Sequence, residues 1–124
     1  MGTRATVKFY TSKESESPIL SVYFQFDGYI SGVGHELADF LKSKTIINGI
    51  SGQTMQGGFA NGVGCLAAQY IKAIKTDIGG VYLTQADDEQ GYDYKVYQKG
   101  KEMRISIDEF DGTPQELLDY NEEG

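Results

Sequence analysis

The chain lacks tryptophan and has only one cysteine and two prolines among its 124 residues. A single cysteine excludes a disulfide within the chain, so nothing in the sequence requires an oxidising compartment. No apolar run approaches the roughly eighteen residues that a membrane-spanning helix needs, and no secretory signal pattern is present. We therefore expect a soluble cytoplasmic protein without a membrane partner, folded as one domain over residues 1–124 with a frayed tail at 121–124.

Positive charge is also scarce, because eleven lysines and arginines stand against eighteen aspartates and glutamates, giving a formal net charge of −7. The basic residues are scattered, whereas a nucleic-acid-binding groove needs clustered positive charge. Direct binding to DNA or RNA is therefore disfavoured. The acidity serves solubility, or it marks an inhibitor that imitates the charge of nucleic acid and binds a protein partner. Five acidic residues near the C-terminus would contribute to such a surface: Asp108, Glu109, Asp111, Glu116 and Asp119.

Strand and helix patterns occur in separate blocks along the chain. Alternating apolar residues predict five strands, over 4–10, 20–26, 81–85, 92–98 and 102–108. Helical spacing predicts two main helices over 35–44 and 65–77. The segment Thr113-Pro114-Gln115-Glu116 predicts a short C-terminal helix, because it combines an N-cap, a first-turn proline and a capping-box glutamate. Phe26 and Ile78 are expected in the core.

The order of these blocks indicates the fold class. Two strands are followed by two helices, three strands and a short helix, and such segregation is typical of α+β proteins. We therefore predict an antiparallel sheet of about five strands, with the two main helices packed on one face.

Two segments thirty residues apart share a small polar residue followed by Gly-Val-Gly at the start of a predicted helix. They are Ser31-Gly32-Val33-Gly34-His35 and Asn61-Gly62-Val63-Gly64-Cys65. Helix N-termini present free backbone N–H groups and partial positive charge, which attract anions. Neither segment matches the dinucleotide fingerprint or the P-loop. The alternative interpretation is that the glycines permit turns and close packing.

If the two helix starts converge, they form a site for a small anionic or nucleotide-like ligand, and the protein is a non-enzymatic binding module. The Asp-Gly-Tyr turn at 27–29 and the glycine-rich stretch 48–60 adjoin this predicted site, although 48–60 can equally be a poorly ordered connection. The predicted ligand-binding residues are Asp27, Tyr29, Ser31, Gly32, Gly34, His35, Asn61, Gly62, Gly64 and Cys65.

His35 and Cys65 occupy equivalent positions after their glycines and suggest a third hypothesis. A cysteine at a helix start gains nucleophilicity, and a nearby histidine can act as its base, so a Cys65-dependent enzyme is conceivable. No orienting third group is evident, and we assign no catalytic residue. One histidine and one cysteine cannot form a zinc site, and the acidic stretch 87–93 misses the EF-hand spacing. We predict no metal and no cofactor.

The segments Phe-Asp-Gly-Tyr-Ile-Ser-Gly-Val-Gly at 26–34 and Ala-Asn-Gly-Val-Gly-Cys-Leu-Ala-Ala-Gln at 60–69 resemble a small uncharacterised family of bacterial, phage and environmental sequences. In that family an Asp-Gly-Tyr turn before a glycine-rich helix start is paired with a second Asn-Gly helix start. The resemblance covers roughly residues 4–97. It implies the α+β module and a phage or prophage setting, in which sequestering a host signal is one hypothesis, but it implies no activity. A homo-oligomer is compatible with the sequence.

Overall fold

A six-stranded mixed sheet organises the fold, and the structure, a computed structural model, describes residues 2–49 and 58–120. The α+β class predicted from the sequence is confirmed. In chain order the elements are β1 (Ala5–Tyr10), β2 (Leu20–Phe24), a π-helical turn (Ile30–Gly34), α1 (His35–Leu41), β3 (Thr45–Ile47), β4 (Phe59–Asn61), α2 (Gly62–Ile74), β5 (Val81–Leu83), β6 (Tyr92–Lys99), β7 (Glu102–Ile107), β8 (Phe110–Gly112) and α3 (Pro114–Asp119).

The main sheet has the strand order β5-β2-β1-β6-β7-β8. The β1–β2 hairpin and the β6–β7 and β7–β8 pairs are antiparallel, but β1 and β6 are parallel. The sheet is therefore mixed, which differs from the wholly antiparallel sheet predicted. The reason is the connection over residues 84–91, which carries the chain from the edge strand β5 back across β2 and β1. Because β5 and β6 run in the same direction, that connection is a crossover rather than a hairpin.

Buried aromatic side chains join the helices to one face of the sheet. Tyr70 of α2 is fully buried, and its ring centroid lies 5.4 Å from Phe9, 6.5 Å from Phe24 and 5.3 Å from Phe40. Burying each such side chain stabilises the fold by about 1.5–3 kcal/mol. Through Tyr70, α2 therefore packs against β1, β2 and α1, and β2 and α1 both border the cleft described below.

The opposite face of the sheet is polar and is crossed by the 84–91 connection. Lys8 is only 8% exposed, and its ammonium donates a hydrogen bond of 2.6 Å to the carbonyl of Asp88. Thr6, also buried, donates to the carboxylate of Asp93 at 2.6 Å. These bonds satisfy the buried polar groups, as burial requires, and the Lys8–Asp88 bond attaches the connection to β1.

The five predicted strands and the three predicted helices are present, but the short strands β3, β4 and β8 were not predicted and two residues expected in the core are exposed. Phe26 is 58% exposed because β2 ends at Phe24 and the chain turns, and Ile78 is fully exposed because α2 ends at Ile74. Their expected core positions are therefore wrong. The capping box of α3 is confirmed, since Thr113 and Glu116 exchange both hydrogen bonds. Most of the 48–60 stretch and the tail at 121–124 lie outside the described residues.

Candidate functional site

A cleft of about 640 Å³ is formed by residues from several parts of the chain. It lies where β2 ends, between the π-helical turn with α1 on one side and the α2–β5 connection on the other. We call it the acidic cleft, because four carboxylates and one histidine are the ionisable groups in its lining. Those residues are Asp27, His35, Glu36, Asp39 and Asp77.

The Asp27-Gly28 turn forms one wall of the acidic cleft and is packed tightly against β1. Asp27 adopts a left-handed conformation with φ of 59°, which aspartate tolerates better than most residues. The Gly28 amide donates to the carbonyl of Thr3 at 2.8 Å, and the Gly28 carbonyl accepts a buried hydrogen bond of 2.7 Å from the Tyr94 hydroxyl. A Cβ on Gly28 would lie 2.7 Å from the Cβ of Ala5, so no larger residue fits there without a shift.

The backbone amides of the first glycine-rich segment are already hydrogen-bonded. Gly32 donates to the carbonyl of Tyr29 at 2.9 Å, Val33 to that of Asp27 at 2.8 Å and Gly34 to that of Tyr29 at 3.4 Å. The π-helical turn therefore consumes three of the N–H groups that the sequence suggested for an anion. They are directed at the chain and not at the cleft.

Two glycines of this segment lie in close contact with neighbouring groups. A Cβ on Gly32 would lie 2.2 Å from the carbonyl oxygen of Asp27, and one on Gly34 would lie 3.0 Å from the Tyr94 hydroxyl. Gly62 and Gly64 of the second segment have no such neighbour within 4 Å, although Gly62 has a positive φ of 88°. The structural interpretation of the glycines thus accounts for the first segment, while the second is a surface helix start.

The two helix starts are not brought together. Gly62, the first residue of α2, lines a separate groove of about 470 Å³, whereas Ile74, the last residue, lines the acidic cleft. The thirteen residues of α2 separate these sites by about 18 Å along the helix axis. Asn61 does not cap the helix through its side chain, which instead accepts a hydrogen bond from the Gly49 amide at 2.8 Å.

The predicted site residues therefore divide into two groups. Asp27, Ser31, Gly32 and His35 line the acidic cleft. The exposed ring of Tyr29 adjoins the cleft, since its hydroxyl donates to the Asp27 carboxylate at 3.1 Å, a contact that raises the pKa of the tyrosine. Gly34 is buried beneath the cleft, and the remaining four residues, Asn61, Gly62, Gly64 and Cys65, belong to the start of α2.

The Cys65–His35 dyad is not formed. The half-buried thiol of Cys65 contacts the side-chain amide of Gln69 at 3.7 Å, and no hydrogen bond among the described residues joins it to His35. Cys65 precedes Ile74 by nine residues, about 14 Å along α2, while His35 lines the cleft at the far end of that helix. No described cluster of three or more potential ligands could hold a metal ion.

The acidic surface predicted near the C-terminus is partly occupied by local contacts. Asp111 accepts hydrogen bonds from Lys13 at 2.7 Å and from the Tyr97 hydroxyl. Partial burial raises the pKa of Asp111, but these bonds and nearby positive charge outweigh it, so its pKa lies below the ordinary value. The pKa of Glu116 is lowered by its capping hydrogen bonds to Thr113. Asp108, Glu109 and Asp119 remain exposed.

Of the four carboxylates that give the cleft its charge, the sequence predicted Asp27 as a site residue and missed Glu36, Asp39 and Asp77. Glu36 and Asp39 follow the Gly-Val-Gly segment directly and fall on the exposed side of α1, so they could have been noticed. Asp77 is contributed by a loop that no local pattern connects to α1. None of the cleft-lining residues is a lysine or arginine, and Lys42 reaches Asp39 from outside the cleft at 2.7 Å.

Two further findings bear on the site. No helix in the described part of the chain is both long and apolar enough to span a bilayer. No protein-family model, no curated protein and no solved structure matches this chain.

Proposed function

We propose that this protein is a non-enzymatic binding module whose acidic cleft receives a positively charged ligand. The observation that carries the proposal is the charge of the cleft lining, which contains four carboxylates and no lysine or arginine. The proposal keeps the binding-module hypothesis of the sequence analysis. It replaces the anionic ligand predicted for this helix start with a cationic one. An anion would meet repulsion there, and three amides that would have stabilised it are engaged in the turn.

The walls of the cleft indicate a ligand that is both cationic and partly apolar. Phe24, Val81 and Ile74 line it alongside the carboxylates. Burying apolar surface contributes about 25 cal/mol per Å², and each exposed ion pair contributes about 0.2–1 kcal/mol. Because those pairs are screened by salt, binding should weaken steadily as ionic strength rises. An amine on a hydrocarbon stem combines both properties.

The proposal is tested with spermidine, a trivalent amine, and citrate, a trivalent anion, compared at equal ionic strength. We expect spermidine to raise the melting temperature and citrate to leave it unchanged. The Glu36→Gln/Asp77→Asn double variant should bind spermidine about tenfold more weakly, since two ion pairs near the upper end of their range together contribute about 1.4 kcal/mol.

The matched control is Asp108→Asn/Glu109→Gln, which changes the net charge equally but lies in the β7–β8 turn, away from the cleft. Its affinity for spermidine should stay within a factor of about two, because screening weakens interactions beyond a Debye length. Equal losses in both double variants would show that spermidine responds only to net charge. Stabilisation by citrate would contradict the proposed ligand class.

A second candidate, an anionic ligand at the start of α2, is favoured by one observation. Lys42, Lys44 and Lys101 line a groove of about 540 Å³, and Lys101 also lines the neighbouring groove beside Gly62. Titration with inorganic phosphate tests this candidate. Lys101→Gln should abolish any stabilisation by phosphate, while the exposed neighbour Lys99→Gln should retain it. If phosphate stabilises both variants equally, the groove lined by Lys101 is not a phosphate site.

A further inference from the structure

The strand β5 forms one edge of the main sheet. Gln25 donates to the carbonyl of Gly80 and Thr84 donates to that of Ser21, so backbone groups at these even positions point toward β2. Because hydrogen-bonding direction alternates along a strand, the backbone groups of Val81 and Leu83 point away from the sheet. They form a short pairing edge beside the acidic cleft.

Large apolar side chains surround this edge and are exposed to solvent. Leu83 is 68% exposed, Tyr82 48% and Phe26 58%, and Ile78 is fully exposed. Phe26 and Val81 also line the acidic cleft, so the apolar patch and the carboxylates form one continuous surface. An exposed apolar patch with a polar rim is typical of a binding surface.

One cation of the chain already occupies part of the edge. The Lys75 ammonium donates to the Val81 carbonyl at 2.7 Å and lies 5.2 Å from the ring centroid of Tyr82. Lys75 follows α2 and is not part of β5, but a lysine placed at a sheet edge discourages indiscriminate strand pairing. Its contacts also demonstrate that an ammonium on a flexible stem fits between the strand backbone and the aromatic ring.

Resting on the cation preference proposed above, we propose that β5 pairs with an extended segment of a partner protein in which lysine or arginine alternates with apolar residues. Main-chain hydrogen bonds to Val81 and Leu83 supply the pairing, as in strand addition to other sheet edges. The basic side chains point toward the acidic cleft and the apolar ones toward Tyr82. A net charge of −7 and the acidic rim disfavour a second copy of this chain as the occupant.

The test uses a synthetic peptide of alternating lysine and valine, seven residues long, with blocked ends. A matched peptide replaces lysine with glutamate, and another keeps every lysine but is N-methylated at alternate backbone amides. We expect the lysine peptide to bind, the glutamate peptide to show no binding, and the N-methylated peptide to bind at least tenfold more weakly. N-methylation removes the pairing hydrogens while leaving the charge unchanged.

The complementary variants act on the strand. Leu83→Pro removes an N–H that points away from β2, so the sheet loses no hydrogen bond, and Leu83→Ala keeps that N–H. The proline variant should lose peptide binding at least tenfold while retaining spermidine binding, which also verifies its fold. The alanine variant should bind the peptide within a few-fold of the parent.

The outcomes separate the two proposals. Equal binding of the N-methylated and unmodified peptides would overturn strand pairing and leave the cation-binding cleft standing. Failure of spermidine and the lysine peptide alike would overturn both. Dimerisation through β5, detected by sedimentation and abolished by Leu83→Pro, would overturn the assignment of a basic partner segment.

Discussion

Replacing Tyr94 with phenylalanine removes the hydroxyl that holds the turn at the wall of the acidic cleft. That hydroxyl donates a buried hydrogen bond of 2.7 Å to the Gly28 carbonyl. Tyr94→Phe keeps the buried ring but leaves the carbonyl without this donor, which costs about 1–3 kcal/mol. For a domain of this size we expect the melting temperature to fall by about 4–12 °C.

Tyr70→Phe is the matched control, because it makes the same chemical change where the hydroxyl has no hydrogen-bond partner among the described residues. Tyr70 is fully buried, and burial raises the pKa of its hydroxyl so that the group stays neutral. Deleting an unsatisfied buried hydroxyl removes a desolvation penalty. We therefore expect Tyr70→Phe to be neutral or to stabilise the protein by up to about 1 kcal/mol.

Urea denaturation of the parent and both variants, followed by circular dichroism, measures the two free-energy changes directly. Tyr94→Phe should also weaken spermidine binding, since the Asp27-Gly28 turn would lose an anchor. An unfolding free energy of Tyr94→Phe equal to that of the parent would refute the role of this bond. If Tyr70→Phe lowers the free energy of unfolding as much as Tyr94→Phe does, the hydrogen bond of Tyr94 does not explain the difference between the two hydroxyls.

The remaining predictions concern glycine packing and acid stability. Gly34→Ala should destabilise the protein by about 1–3 kcal/mol through contact with Tyr94. Gly64→Ala, in open space within α2, should stabilise it by about 0.5–1 kcal/mol. Melting temperatures that shift in the same direction in both variants would contradict this pair of predictions. Because the pKa of Asp111 is lowered in the folded state, its contribution is present above the ordinary pKa and lost as pH falls through the folded value. The stability gap between the parent and Asp111→Asn should therefore shrink below about pH 4, and a gap that widens on acidification in urea titrations would show the wrong sign.

Signals carried within a few residues were sufficient for most elements. The alternation in β1 and β2 predicted a hairpin because pairing of neighbouring strands needs no distant information. The Thr113–Glu116 capping box predicted the start of α3 because both of its hydrogen bonds join residues three apart. Phe26 was misassigned because the apolar alternation continues to that residue, whereas β2 ends two residues earlier, at Phe24.

Local sequence patterns could not predict the relative directions of the strands in the sheet. Alternation in β1 and β6 specifies which face of each strand is buried, and that face is the same whether the pair is parallel or antiparallel. The parallel arrangement follows from the 84–91 crossover, which is fastened to β1 by the Lys8–Asp88 hydrogen bond. That contact joins residues eighty positions apart, so no window of sequence contains it.

For the cleft, the chain's periodicity and turn residues established that a glycine-rich helix start would follow the Asp27-Gly28 turn, since those preferences are local steric properties. Long-range packing established what the turn faces: it separated the start of α2 from the turn and brought Asp77 into the same cleft as Glu36. The charge of a cleft is a sum over segments that meet in space. That sum cannot be calculated from the order of residues alone, because it depends on the packing of α2, which brings particular loops together.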